Sequence, residues 1–181
     1  MLRRAVVREY VRYVESMQAL AGCITPARFV ATSDARQDLQ GTHEILLGRL
    51  DGVVLRGKGG GLRLSAGQIF NVLPLHDATQ VTTVVAAYWY KLTTAVGADI
   101  LTWHWTPDVP DPAQRRWPHL HVGHAALGGG GTYLPGSFGR LHIPTAVVPF
   151  AAVVRFAVEE LGVSPLRSDW HAVLSAYPDA G

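Results

Sequence analysis

Residues 81–94, VTTVVAAYWYKLTT, constrain this chain more than any other stretch. Val, Thr, Tyr and Trp suit a pleated, half-buried surface, and the run is too rich in β-branched residues for a comfortable helix. Side chains alternate along a strand, so Tyr88 and Tyr90 share one face and Trp89 takes the other. Gly97 marks a turn, and residues 99–105 resume the same character, which predicts an antiparallel hairpin. Pro107, Pro110 and Pro112 break that pattern. A short strand is then expected over 119–122, followed by a loop at the four glycines 128–131.

Helical periodicity brackets this region. Val7, Tyr10, Val11, Val14, Met17 and Ala21 recur at three- and four-residue steps with Arg8, Arg12 and Glu15 between them, which predicts an N-terminal helix over 1–22. Toward the other end, Phe150, Val153, Val154, Ala157, Val158 and Leu161 form one stripe after Pro149, a residue tolerated in a first helical turn. Gly162 closes that helix. A last helix is expected from an N-cap at Ser168 through Trp170 and Val173 to Tyr177, so 149–177 forms a C-terminal helical region. Between 25 and 77, Ile45, Leu47, Leu50, Val53 and Leu55 fit either a helix or strands, and the type stays open. Lys58 followed by Gly59, Gly60 and Gly61 lacks the order of a phosphate-binding loop and reads as a turn. The expected fold is therefore α+β: an antiparallel meander sheet, its histidine-bearing part at 81–143, with N- and C-terminal helices packed on one face.

Bulk properties narrow the function classes. A chain of 181 residues, 48% hydrophobic, suits one domain spanning 1–181. Lys and Arg number 16 against 14 Asp and Glu, too small a surplus for sequence-blind capture of long DNA, although a short RNA or a nucleotide stays within reach. The lone Cys23 makes no internal disulfide, which fits a reducing, cytoplasmic setting. Arg8, Glu9, Arg12 and Glu15 interrupt any secretory signal, and the apolar runs at 84–90 and 146–154 fall well short of the ~20 residues of a spanning helix. No membrane span is expected.

Five of the eight histidines, His104, His119, His121, His124 and His142, lie between positions 104 and 142. Strand alternation points His119 and His121 the same way, with Leu120 and Val122 opposite. His104 sits between Trp103 and Trp105, on a face with Ile100 and Thr102; whether that face meets His119 depends on sheet order. His124 falls on the face away from His119 unless Gly123 introduces a bulge. His43, His76 and His171 stand apart and read as ordinary surface or helix residues. Two imidazoles held together can act as general base and general acid near neutral pH, the pair required when RNA is cleaved through its own 2′-hydroxyl. Such a metal-independent endoribonuclease would use His119 and His121, supported by His104 or His142. Negative charge on the phosphorane needs a cation, for which Arg116 and Arg140 are the candidates, with Arg115 and Lys91 nearby. Trp103, Trp105, Trp117 and Tyr133 are candidates for stacking on the bases of single-stranded RNA.

The same side chains suit zinc, because His119 and His121 with His104 or His142 supply three nitrogen donors, as in a zinc-dependent hydrolase. Asp99, Asp108 and Asp111 are too few for a magnesium site built on clustered carboxylates. A third reading is a non-catalytic protein-interaction domain with structural histidines.

Pro118-His119-Leu120-His121-Val122 looks like the motif of the histidine-triad nucleotide-binding proteins, but Val122 and Gly123 separate His121 from His124, one residue more than that motif has. The cupin pattern fails as well, since no glutamate occurs between His121 and Glu159. A succession of features over residues 88–161 resembles TumE-type toxins of bacterial toxin-antitoxin pairs. It comprises the Tyr88 and Tyr90 strand, a strand ending His104-Trp105, a proline-rich turn, Pro118 to His121, and a closing amphipathic helix. That resemblance implies a prokaryotic toxin with a cognate antitoxin and RNA as target. The long N-terminal part and the glycine-rich insertion depart from the pattern.

Overall fold

A computed structural model describes residues 2–32, 41–48, 51–57, 61–75, 80–107, 116–127 and 142–177. The chain begins with helix α1 (Leu2–Ala21), and strands β1 (Phe29–Ala31), β2 (His43–Leu47), β3 (Val53–Leu55), β4 (Leu62–Pro74), β5 (Val81–Thr94), β6 (Asp99–Trp105) and β7 (His119–Val122) follow. A 3-10 turn (His124–Leu127), strand β8 (Ile143–Pro144) and helices α2 (Phe150–Glu159) and α3 (Trp170–Ala176) complete it. All eight strands form one antiparallel sheet in the order β1-β2-β4-β5-β6-β7-β8, with β3 also paired to β4. This is the expected α+β meander, with helices from both ends of the chain buried against one face.

The long β4–β5 pair is the spine of the sheet, running from Leu62 opposite Thr94 to Pro74 opposite Val81 with one register shift between Ile69 and Phe70. Leu64, Ala66, Gln68 and Phe70 on β4 and Tyr88, Tyr90 and Leu92 on β5 point to the helices and are buried. One cluster joins all of these but Gln68 to Val6, Met17 and Leu20 of α1 and to Phe150, Val153, Val154 and Ala157 of α2. Phe150 meets Phe29 edge-on at 5.4 Å and Tyr90 at 5.5 Å, while Tyr88 and Tyr90 stack at 4.9 Å. Burying each such ring is worth roughly 1.5–3 kcal/mol, enough to hold α2 across the sheet.

The segment of open type resolves into strands: the isoleucine and leucines of β2 pair with the upper half of β4, and β3 with its lower half. Gly48 and Gly52 carry positive φ values of 62° and 80° between them, so the chain reverses there rather than continuing as a helix. Lys58, Gly59 and Gly60 lie outside the described residues.

Three local expectations need correction. The buried stripe of α1 runs through Val6, Met17 and Leu20, and Val11 is 41% exposed, because the helix is rotated so that Tyr10 and Tyr13 cover Phe70. Glu9 is buried with that stripe; two hydrogen bonds from Arg12 (2.8 and 2.7 Å) and one from Thr83 (3.1 Å) satisfy its carboxylate and hold its pKa below the ordinary value against the effect of burial. His43 is a core residue, 1% exposed, with its ring against Tyr10 at 4.9 Å and Phe70 at 5.5 Å. The N-cap of α3 is Asp169, one residue beyond Ser168, with its carboxylate bound by Arg167 at 2.6 and 2.7 Å. His171 does lie on an exposed helix, stacked on Trp170, and His76 is outside the described residues. Gly162, with φ 68°, follows α2 as expected. Among the described residues no helix is long and apolar enough to cross a membrane.

Candidate metal centre

Trp103 meets Phe156 of α2 edge-on at 5.5 Å, which fixes the helix-facing side of β6. His104, next in the strand, therefore faces the other way. Register places His104 opposite His119 and Thr102 opposite His121, so the two strands bring three imidazoles onto the helix-free face. β8 pairs His119 with Pro144, and this return of the chain lays His142 over the same spot. Ring centroids are 5.2 Å apart for His104 and His119, 4.8 Å for His119 and His121, 4.8 Å for His119 and His142, and 4.5 Å for His121 and His142.

His119 is the hub. It is 2% exposed, whereas His104 and His121 are half-buried and His142 is exposed. Its Nδ1 lies 2.8 Å from the carbonyl oxygen of Trp117, a contact that only a donating Nδ1–H satisfies, which leaves the Nε2 lone pair as the ligand atom. His104 is oriented by Thr106, whose Oγ1 is 2.8 Å from Nε2. Neither Thr106 nor the Trp117 carbonyl was visible as a site group in the sequence, although a hydroxyl two residues beyond a strand histidine was the signal to look for.

The nitrogens of His104, His119 and His121 lie within 4.8 Å of one another. Tetrahedral zinc with nitrogen at about 2.0–2.1 Å brings its ligand atoms to roughly 3.3 Å, so a sub-ångström movement of each ring closes the set. Burial, followed by the neighbouring His142, His119 and His104, pushes the His121 pKa down from 6.5 to about 4. Burial and then His119 and His142 lower that of His104. Both shifts favour the neutral imidazole, the form that ligates metal.

This has a consequence for stability without metal. Between about 4 and 6.5 the unfolded chain binds a proton at position 121 that the folded chain refuses, so stability rises with pH across that window. The contribution is complete above 6.5 and is lost as pH falls toward 4. Urea unfolding of the metal-free protein at several pH values is expected to show that slope, and His121→Gln is expected to flatten it; an equal slope in the variant would refute the assignment.

β7 ends where Gly123 crosses β6. Its N–H donates to the Ile100 carbonyl at 2.7 Å, and a Cβ there would lie 2.0 Å from the backbone oxygen of Asp99. Ile100 is the extra residue of a bulge in β6, since Leu92 pairs with Leu101 and Thr93 with Asp99. The bulge supplies the close approach, and the 3-10 turn that begins at His124 replaces simple alternation. Gly123→Ala is expected to cost about 1–3 kcal/mol by forcing these backbones apart, measured as a lower urea midpoint at unchanged m-value.

The remaining candidates divide by face. Trp103 is 8% exposed inside the core and so is not available to stack on a base, while the half-buried Trp105 lies on the helix side with its ring 6.0 Å from Tyr88, away from the histidines. The same alternation that turns His104 outward turns its two tryptophan neighbours inward. Trp105 Nε1–H donates to the backbone carbonyl of Arg116 at 3.1 Å, so Arg116 serves β6 through its main chain while the residue itself is exposed. Trp117 is 43% exposed beside His119. Lys91 shares the histidine face but forms an ion pair with Asp99 at 2.7 Å. Trp89, opposite His104, lays its indole across Gly67, where a Cβ would meet the ring at 2.1 Å; this neighbour of the histidines was missed as well. Arg115, Arg140, Tyr133, Asp108, Asp111 and the glycines 128–131 lie outside the described residues, as does the side chain of His124.

No protein-family model, curated protein or solved structure matches this chain.

Proposed function

We propose that this chain is a metal-dependent hydrolase of the zinc type, with the ion held by His104, His119 and His121. The observation that carries the reading is the convergence of three ligand nitrogens around a buried His119 whose other nitrogen is anchored to a main-chain carbonyl. Carboxylate-histidine-metal and carbonyl-histidine-metal relays are the usual means of fixing the tautomer of a ligating imidazole. An all-imidazole set suits zinc, copper, nickel or iron and not magnesium or calcium. His104, His119 and His121 would hold the ion and leave a position open, and zinc bound there would supply a nucleophilic water at neutral pH. The exposed His142, in ring contact with His119 and His121, would stand beside an ion held by the other three as a further imidazole able to accept a proton. The buried single Cys23 accords with a reducing cytoplasmic setting.

A metal-free reading keeps one favourable observation, the 4.8 Å contact between His119 and His121 on one face. It is a toxin-like RNA phosphodiesterase with those two residues as acid and base and an antitoxin as partner. That chemistry needs one imidazolium at neutral pH, and burial together with the neighbouring imidazoles pushes the His121 pKa down to about 4, against that role for His121.

One experiment separates the two. Purified full-length protein is assayed for metal by elemental analysis and for hydrolysis of labelled single-stranded RNA and of a panel of nitrophenyl esters and phosphodiesters, with and without a chelator. One zinc-class ion per chain and chelator-sensitive hydrolysis restored by zinc are expected. RNA cleavage that survives chelation and disappears in His119→Ala would replace the metal reading with the nuclease. Protein that neither binds zinc nor cleaves any substrate would leave a non-catalytic interaction domain.

A further inference from the structure

Helix α1 runs along the β4–β5 pair. Tyr13 bonds Gln68, Glu9 bonds Thr83 nearer the hairpin's turn, and Ala5 and Arg8 share a shallow groove with Gln80 and Val81. Gln80 accepts the Leu75 N–H, so the first turns of α1 and the end of the β4–β5 hairpin lie side by side at one end of the molecule.

Positive charge is concentrated there. Arg3, Arg4, Arg8 and Arg12 against Glu9 give residues 2–12 a net charge of +3, whereas the whole chain carries +2, so the rest of it is slightly negative. The arrangement works against the helix itself. Arg3 and Arg4 stand in a first turn that holds no acidic residue, at the positive end of the helix dipole. Arg4, Arg8 and Arg12 follow one another at four-residue steps, where like charges repel. Glu9 compensates Arg12, whereas Arg4 and Arg8 are exposed and form no ion pair with any described residue. Helix stability alone would favour carboxylates at these positions, so the cations suit an anion outside the chain.

Apolar side chains stand among the cations. At about 100° per residue, Val7 and Val11 fall between Arg3 on one side and Arg4 and Arg8 on the other, on the arc opposite the buried Val6, Met17 and Leu20. Leu2, Val11, Leu73 and Leu75 are each between 40% and 45% exposed. A nucleic-acid backbone would engage the arginines and leave those four side chains in water. An anionic bilayer surface engages both, its headgroups meeting the arginines and its acyl boundary the apolar tips.

We infer that this end of the molecule docks on the surface of a bilayer containing anionic lipid, with Arg4 and Arg8 against the headgroups and Leu2, Leu73 and Leu75 entering the acyl boundary. The contact is peripheral, since no described helix is long and apolar enough to span. It does not rest on the metal reading, because the histidines sit further along the sheet, level with Trp89 and Gly67.

The test mixes full-length protein with sucrose-loaded vesicles of phosphatidylcholine, alone or with about 30% phosphatidylserine, at about 0.1 M salt, and reads the bound fraction by co-sedimentation. Saturable binding to the anionic vesicles is expected, with binding to phosphatidylcholine at least about tenfold weaker. An arginine near such a surface is worth about fivefold, so Arg4→Gln combined with Arg8→Gln is expected to lower partitioning about 25-fold. Leu73→Ser combined with Leu75→Ser is expected to lower it about tenfold. Leu166→Ser, at an equally exposed leucine beside Cys23 at the other end of α1, is expected to leave it unchanged. All five positions are exposed, so the variants are expected to keep the fold, which far-UV circular dichroism checks. Binding to neither vesicle, equal binding to both, or undiminished partitioning of either double variant would overturn the assignment. So would retention of labelled single-stranded RNA without vesicle binding, which would make the arginines a nucleic-acid contact.

Discussion

His119→Ala is expected to weaken zinc binding by more than about a hundredfold, because loss of a mere outer-shell partner already costs 10–100-fold. His119 is in ring contact with all three of its neighbours, so its removal leaves His104 and His121 as an incomplete pair on two different strands. The measurement is competition with a chromogenic chelator on the full-length protein, with far-UV circular dichroism to confirm that the sheet is intact. Thr106→Val is the graded companion. It removes only the hydroxyl that positions His104 Nε2, and a loss of roughly tenfold is expected with the ligand set unchanged. Unaltered affinity in His119→Ala would place the zinc site elsewhere and overturn the assignment.

Trp103→Ala is expected to be the most damaging single substitution to stability among those considered, at about 3–5 kcal/mol. The indole is 8% exposed and packs edge-on against Phe156, so truncation opens a cavity between β6 and α2. For a domain of this length that corresponds to a fall in Tm of roughly 6–20 °C. Trp117→Ala is the contrast, because its side chain is 43% exposed and its carbonyl, which holds His119, survives the substitution. An effect within about 0.5 kcal/mol is expected there. Equal stability losses for the two tryptophans would contradict the faces assigned to β6 and to the turn before β7.

Strand β5 coincides with the run 81–94, and the helix α2 stripe from Phe150 onward docks as its spacing requires. Both depend on repeats that a single element displays along its own length. Alternation alone separates Trp103 and Trp105 from His104, and burial then removes Trp103 from base stacking. His43 was misread because nothing local distinguishes a strand histidine that α1 will cover from one left in solvent; only the approach of Tyr10 decides it. The segment 43–55 was ambiguous because short apolar runs fit two periods equally well until β4 supplies a partner edge.

What the linear chain settled by itself was direction: backbone geometry alone sends the side chains of His119 and His121 to one side and Leu120 to the other. What only the folded molecule decided was company. The meeting of His104 with His119 depends on register between strands fourteen positions apart in sequence, and the arrival of His142 depends on the return of β8 to the edge of β7. Those distances are set by non-local pairing and by a bulge at Ile100, which carry no periodic trace in the residues they bring together.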